Sequence, residues 1–128
     1  MWGSILAAGM ALVLIAGAEA RTMRMVVADL PYVRVWDGAV RALAAYPIER
    51  AADGVVATGW RERDPRADET GWSRVRERVT LRVEPMGERI TRVTVEVEAQ
   101  GRRNGDWVAL EDTEGLARDV LARLRDVH

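Results

Sequence analysis

The sequence predicts an α+β fold: a four-stranded antiparallel meander with an N-terminal and a C-terminal helix packed on one face. Three observations predict it. Two long segments, Trp72 to Glu84 and Ile90 to Gln100, alternate apolar and polar residues, as strands buried on one side do. Asn104-Gly105 lies between strand-like residues, the signature of a type I′ hairpin turn. Two more segments, Tyr32 to Tyr46 and Thr113 to Val127, repeat apolar residues every three or four positions, as amphipathic helices do.

Residues 1–20 stand apart from the rest. Met1 to Ala18 carries no charged side chain, and from Arg21 onward the chain is rich in charge. The apolar run Ile5–Ala18 has the length of a signal-peptide core and is short of the roughly 20 residues a spanning helix needs. It ends in Ala18-Glu19-Ala20, a small-x-small cleavage pattern, so residues 1–20 are expected to be a leader removed on export. The alternative is an uncleaved N-terminal anchor; only then would the chain contact a membrane. The mature part is expected to be periplasmic or extracellular. It divides into a short lead, residues 21–31, and one domain, residues 32–128.

Composition narrows the function. The chain has no cysteine, which excludes disulfides, thiolate metal sites and a thiol nucleophile. After Ala20 there are 19 arginines and 19 acidic residues, so the mature part is nearly neutral. Nucleic-acid binding, which needs a net basic footprint, is not expected.

Helix one is expected over Tyr32–Tyr46, capped by Asp29, with Pro31 in its first turn and Pro47 as its stop. Val33, Trp36, Val40, Leu43 and Ala44 form its expected buried stripe. Strand one is expected at Gly54–Glu62, with a short extended piece at Ile48–Arg50 and a bend or bulge at Asp53-Gly54. Arg63 to Gly71 is polar and turn-rich and reads as the longest loop.

Parity relates strands two and three. Val75, Val79, Leu81 and Val83 share one face of the first; Val93, Val95, Val97 and Ala99 share one face of the second. A five-residue loop, Pro85–Arg89, would set Arg78 opposite Glu96, Arg76 opposite Glu98 and Leu81 opposite Val93. One unfavourable pair results, Arg82 facing Arg92. The Asn104-Gly105 turn sets Arg103 opposite Asp106 and Gly101 opposite Val108. Strand four is then Asp106–Leu110, with Val108 and Leu110 inward and Trp107 outward. Helix two follows, capped by Asp112 or Thr113, with Leu116, Val120, Leu121, Leu124 and Val127 as its buried stripe. The helices and the sheet have only each other to bury against.

Catalytic chemistry finds little to use. The only histidine is the terminal His128, and Ser73 is the only serine after the leader. No phosphate loop, nucleophile elbow or metal-ligand spacing occurs, so no catalytic residue, cofactor or metal is assigned. Asp64, Asp68 and Glu69 lack the ordered spacing of a calcium loop. Glu77 is a misfit, since alternation points it to the apolar face; it lies beyond the helix cover, meets an arginine or sits at a bulge.

The tryptophans suggest a different use. Trp60, Trp72 and Trp107 fall on or beside the sheet, near the outward Arg76 and Arg78. Exposed tryptophan beside arginine is the composition of a protein-binding hot spot. The plainer reading is that the rings cover the sheet and its edge. The five residues are the candidate partner-binding set, and Trp36 is expected in the core.

The Trp-bearing helix Val33-Arg-Val-Trp36-Asp-Gly-Ala-Val40-Arg-Ala-Leu43, the Asp53-Gly54 bend, the antiparallel sheet and the terminal helix together resemble the helix-grip domains of the BamC (NlpB) lipoprotein family. The resemblance covers about residues 32–127 and implies a helix-grip-like fold. That family belongs to the outer-membrane barrel-assembly machinery, although this chain lacks its second domain and its acylated cysteine. The expectation is a non-enzymatic envelope module that contacts another envelope protein through its sheet face or long loop. The alternative is a small apolar ligand held between helices and sheet.

Overall fold

The computed structural model describes residues 14–16 and 19–126, with side chains from Thr22 onward. In chain order the elements are β1 (Leu14–Ala16), β2 (Glu19–Ala28), α1 (Tyr32–Ala42), β3 (Ile48–Ala52), β4 (Val55–Thr58), β5 (Arg61–Arg63), β6 (Arg74–Gly87), β7 (Ile90–Arg103), β8 (Asp106–Ala109) and α2 (Glu114–Asp126). Strands β2 to β8 form one antiparallel sheet of seven strands, and β1 adds a short eighth beside β2. The fold is α+β with an antiparallel sheet and two helices, but the expected four-stranded meander undercounts the sheet. Of the expected leader, only the backbone of Leu14–Ala16 and Glu19–Ala20 lies within the described residues. His128 and the end of helix two also lie outside them.

The β6–β7 hairpin is the centre of the sheet, and each of its outer edges carries two shorter strands. On the β6 edge, β4 pairs with residues 80–82 and β5 with residues 75–77. On the β7 edge, β2 pairs with residues 91–97 and β8 with residues 100–103. One end of the hairpin is therefore flanked by β4 and β2, the other by β5 and β8.

Two strands escape the sequence pattern for physical reasons. In β2, expected as a short lead in which only Val26 and Val27 could pair at a sheet edge, Thr22 and Arg24 face the helix side while Met23 and Met25 face away. The usual polarity is inverted because the polar start of α2 covers that side. Thr22 hydrogen-bonds Thr113, and Arg24 pairs with Glu114. Strand β3 is exposed along its whole length, so burial imposes no alternation on it. Asp53-Gly54, expected as a bend or bulge between the extended piece and strand one, is the tight turn of a β3–β4 hairpin. Both residues have positive φ, 54° and 76°, as a type I′ turn requires. Gly59-Trp60 then interrupts the expected first strand between β4 and β5.

The hairpin register keeps the expected parity but is displaced by two residues. Arg78 faces Glu98, Arg76 faces Gln100, and Leu81 faces Val95. The strands run on to Gly87 and Ile90, with an irregularity at Pro85/Gly87, in place of a five-residue loop. The displacement removes the Arg82–Arg92 conflict: Arg82 faces Thr94, and Arg92 bonds Glu84 across the ladder at 2.8 Å. The Asn104-Gly105 turn has φ values of 54° and 84° and the expected pairing. Val108, expected inward, is exposed because the helices do not extend over that end of the sheet.

Both helices lie on one face. Their residues form one core with Val56, Val79, Leu81, Val83, Val93, Val95 and Val97 of the sheet. Helix α2 buries Leu116, Val120 and Leu124, as its spacing predicts, and also Ala117, while Leu121 packs at the core's margin. Asp112 Oδ1 accepts from the Glu114 amide at its start. Helix α1 starts with Pro31 at its N-cap position, not Asp29, and is shorter than expected. It is also rotated: it buries Val35, Gly38, Ala39 and Ala42, followed by Leu43 and Tyr46, while Val33 and Ala44 are exposed. Small residues at 38, 39 and 42 let the helix sit closer to the sheet than Val33, Trp36 and Val40 would. Trp36, expected in the core, is only partly buried and stacks on Tyr32 with ring centroids 6.2 Å apart.

Candidate binding face

The side of the sheet away from the helices presents the even-numbered residues of β6 and β7. Opposite each other stand Arg76 and Gln100, Arg78 and Glu98, Thr80 and Glu96. At the β5–β8 end, Trp60 comes from the break between β4 and β5, and Trp107 from β8, whose hairpin turn sets its parity. The two indoles flank Arg76. Its guanidinium carbon lies 4.4 Å from the Trp60 ring centroid and 4.2 Å from that of Trp107. Arg78 lies 4.3 Å from the Trp60 ring.

The two arginines differ electrostatically. Arg78 donates to Glu98 at 2.6 Å and so has a carboxylate partner. Arg76 donates through Nε and Nη2 to the Gln100 side-chain oxygen, at 2.8 and 2.5 Å. That acceptor is neutral. Burial pulls the Arg76 pKa below its usual range, with Arg78 adding to it, and Glu62, its cross-strand neighbour on β5, only partly opposes this. Arg76 is thus a half-buried cation, fixed between two rings.

Four of the five expected site residues, Trp60, Arg76, Arg78 and Trp107, therefore cluster. Trp72 does not join them. Strand β6 begins at Arg74, after a bend at Ser73, so strand parity does not reach back to residue 72. The Trp72 ring lies on the helix side, against Gly101, under the Arg103 guanidinium at 4.1 Å.

A second assembly lies on the helix side; of the three accommodations expected for Glu77, meeting an arginine is the one found, and the rest of the network was missed. Glu77 is buried at 3% exposure between the helices and the sheet. Tyr46 Oη donates to its Oε1 at 3.0 Å, and Arg63 Nε donates to its Oε2 at 3.1 Å. The Arg63 fork holds Glu69 through two bonds of 2.7 and 2.8 Å, and Glu69 also accepts from the Arg66 amide. Among the described residues no buried side-chain polar atom lacks a partner. The only warning in the sequence was Glu77 on an apolar face. Arg63 and Glu69 gave none, because the loop that brings them there has no period. Beside this network a cleft of about 370 Å³ opens between the loop, Trp72 and the approach to α2.

The network sets a pH dependence. Arg63's hydrogen bonds, aided by the Arg66 amide, push the Glu69 pKa down to about 2 from 4.5, against the effect of burial. A carboxyl lowered on folding contributes stability that is complete above its unfolded pKa and is lost as pH falls through the folded one. Between pH 4.5 and 2 the midpoint of thermal unfolding should fall more steeply for the native chain than for Glu69→Gln. Parallel curves would show that Glu69 does not carry the acid response.

Among the described residues no helix is long and apolar enough to cross a membrane, and no group of three acidic or histidine side chains could hold a metal.

The chain is thus an α+β protein with two helices on one side of an antiparallel sheet and a Trp–Arg cluster on the other. No protein-family model matches it, and no curated protein matches it. Solved structures similar to it include a conserved protein of unknown function from Enterococcus faecalis, at 9% identity over 97% of this chain and 81% of that one, with a TM-score of 0.49. Another is a TBP-like protein from Parabacteroides distasonis, at 8% identity over 89% and 95%, with a TM-score of 0.49. A third is the di-domain ARO/CYC BexL of the BE-7585A biosynthetic pathway, at 12% identity over 83% and 45%, with a TM-score of 0.42.

Proposed function

We propose that this is a non-enzymatic binding or assembly module of the cell envelope, which docks another protein on the open sheet face around Arg76. Export is inferred from the leader pattern of residues 1–20. The observation that carries the docking reading is the Arg76 guanidinium, held between Trp60 and Trp107 with a neutral acceptor. A cation held this way gains most from a partner that brings a carboxylate. The flanking indoles then exclude water around the new pair, the arrangement of a binding hot spot. The partner is accordingly a protein that presents an acidic side chain on an apolar rim. Glu77 supports a non-catalytic reading, because both of its oxygens are engaged by Tyr46 and Arg63.

Quantitative pull-downs from envelope extracts test this. The native chain and Val33→Ser, altered on the far side of the molecule, should enrich the same protein. Arg76→Ala and Trp107→Ala should lose it while keeping native circular dichroism. With the purified partner, each should weaken binding about thirty-fold, corresponding to the roughly 2 kcal/mol of a hot-spot residue. Equal recovery by all four proteins, or nothing above background, would remove this function.

A further inference from the structure

A second feature lies on the opposite side of the molecule, where α2 runs beside β2. Two adjoining hollows of about 230 and 330 Å³ share Val26 and Leu121 and together make a groove between helix and strand. Val93 and Leu124 deepen its apolar floor, and Val26 leaves apolar surface open to solvent at 36% exposure. The rim is cationic. Arg24 closes one end and is already paired with Glu114. Arg118 and Arg125 stand on α2 above the groove, and neither has an acidic partner among the described residues. They lie seven positions apart, two helical turns, so they share one face of α2 about 10 Å apart. Leu121 projects between them.

A floor of branched apolar side chains beneath two arginines without acidic partners suits a molecule with an apolar tail and an anionic head. Water satisfies the arginines but leaves Val26 and Leu121 wet, and a neutral hydrocarbon covers the apolar floor but leaves the cations unused. We propose that this groove binds a single-chain carboxylic acid of medium length, with its chain along Val26 and Leu121 and its carboxylate on Arg118 or Arg125. The larger hollow is at the small end of the range for ligand pockets, about 300–1,000 Å³, which fits one chain and not a two-chain lipid. The site is independent of the sheet face around Arg76, so either reading can fail alone.

Titration calorimetry on the full chain tests the proposal with saturated fatty acids from hexanoate to decanoate, and with decanol and decyltrimethylammonium as neutral and cationic controls. Affinity should rise about four-fold per methylene until the groove is full, the increment expected for a buried methylene. Decanoate should bind at least ten-fold tighter than either control. The double variant Arg118→Gln/Arg125→Gln, changed only at exposed positions, should lose that preference and keep its decanol affinity within two-fold. Leu121→Trp should block all three ligands. The proposal is overturned if decanoate and decanol bind alike, if decanoate does not bind, or if the arginine pair is dispensable. It is equally overturned if the chain ignores decanoate and binds phosphatidylglycerol vesicles, since the basic rim would then be a membrane-docking surface.

Discussion

Arg63→Met should lower the midpoint of thermal unfolding by about 15 °C. Among the described residues Arg63 is the one cation hydrogen-bonded to both Glu77 and Glu69, and the side chains of all three are at most 19% exposed. Methionine keeps most of the side-chain volume and removes the charge. Glu77 is left with Tyr46 alone, and Glu69 with the Arg66 amide. Removing one partner of a buried ion pair costs about 3–5 kcal/mol, mostly because the other charge stays buried and uncompensated. For a domain of this size each kcal/mol moves the midpoint by about 4 °C. The double variant Arg63→Met/Glu77→Met should recover more than half of the loss, since it replaces the charged pair with apolar volume and removes the orphan. Circular dichroism melts of the two variants decide the matter. A single variant within about 1 kcal/mol of the native chain would mean that water solvates Glu77 and that the network contributes little.

The elements legible in the sequence are those that bury one side and leave the other wet. The odd residues of β6 and β7 are apolar because the helices cover them, and α2 keeps its stripe because Leu116, Val120 and Leu124 meet that same face. The Asn104-Gly105 turn was legible because few other dipeptides adopt its two positive φ angles. Elements without that asymmetry were hidden. Strand β2 packs polar residues against the polar start of α2, and β3 buries nothing. Helix α1 offers two overlapping apolar series, and the series containing Gly38, Ala39 and Ala42 won because small side chains allow closer packing. The hairpin register was limited by its turn: parity excludes odd displacements but not a displacement of two.

The candidate site divides along the same line. Trp107, Arg76 and Arg78 could be placed on one face by strand parity, and Trp60 by its nearness to the same strands. Trp72 could not, because it precedes β6 and parity holds only within a strand. Glu77 was visible as a contradiction, and its resolution through Arg63 and Tyr46 depends on tertiary geometry that no local pattern records.

Trp72 leads to a prediction whose sign separates two physical effects. Gly101 sits in β7 opposite Val75 and Val108, where glycine is a poor strand residue. Strand propensity alone predicts that Gly101→Val stabilises the protein by up to about 1 kcal/mol. The tertiary contact predicts the reverse. A side-chain carbon added at Gly101 would lie 2.3 Å from Trp72 Cδ2, 2.5 Å from Cε3 and 2.8 Å from Cγ. These are ring atoms, and on the ring lies the Arg103 guanidinium at 4.1 Å, so the indole cannot yield by a small rotation. It must leave the sheet, which exposes its surface and disturbs the loop that carries Glu69. Overpacking of this kind costs about 1–3 kcal/mol, and expulsion of a whole indole belongs at the upper end. The clash outweighs the propensity, so Gly101→Val should destabilise by about 2 kcal/mol net. In a Trp72→Ala background the clash is gone and the same substitution should become neutral or stabilising. A double-mutant cycle by chemical denaturation measures both values. If valine at position 101 stabilises the native chain, the Trp72 ring does not lie on Gly101. The glycine then has no tertiary role, and the account of why Trp72 leaves the outer cluster falls with it.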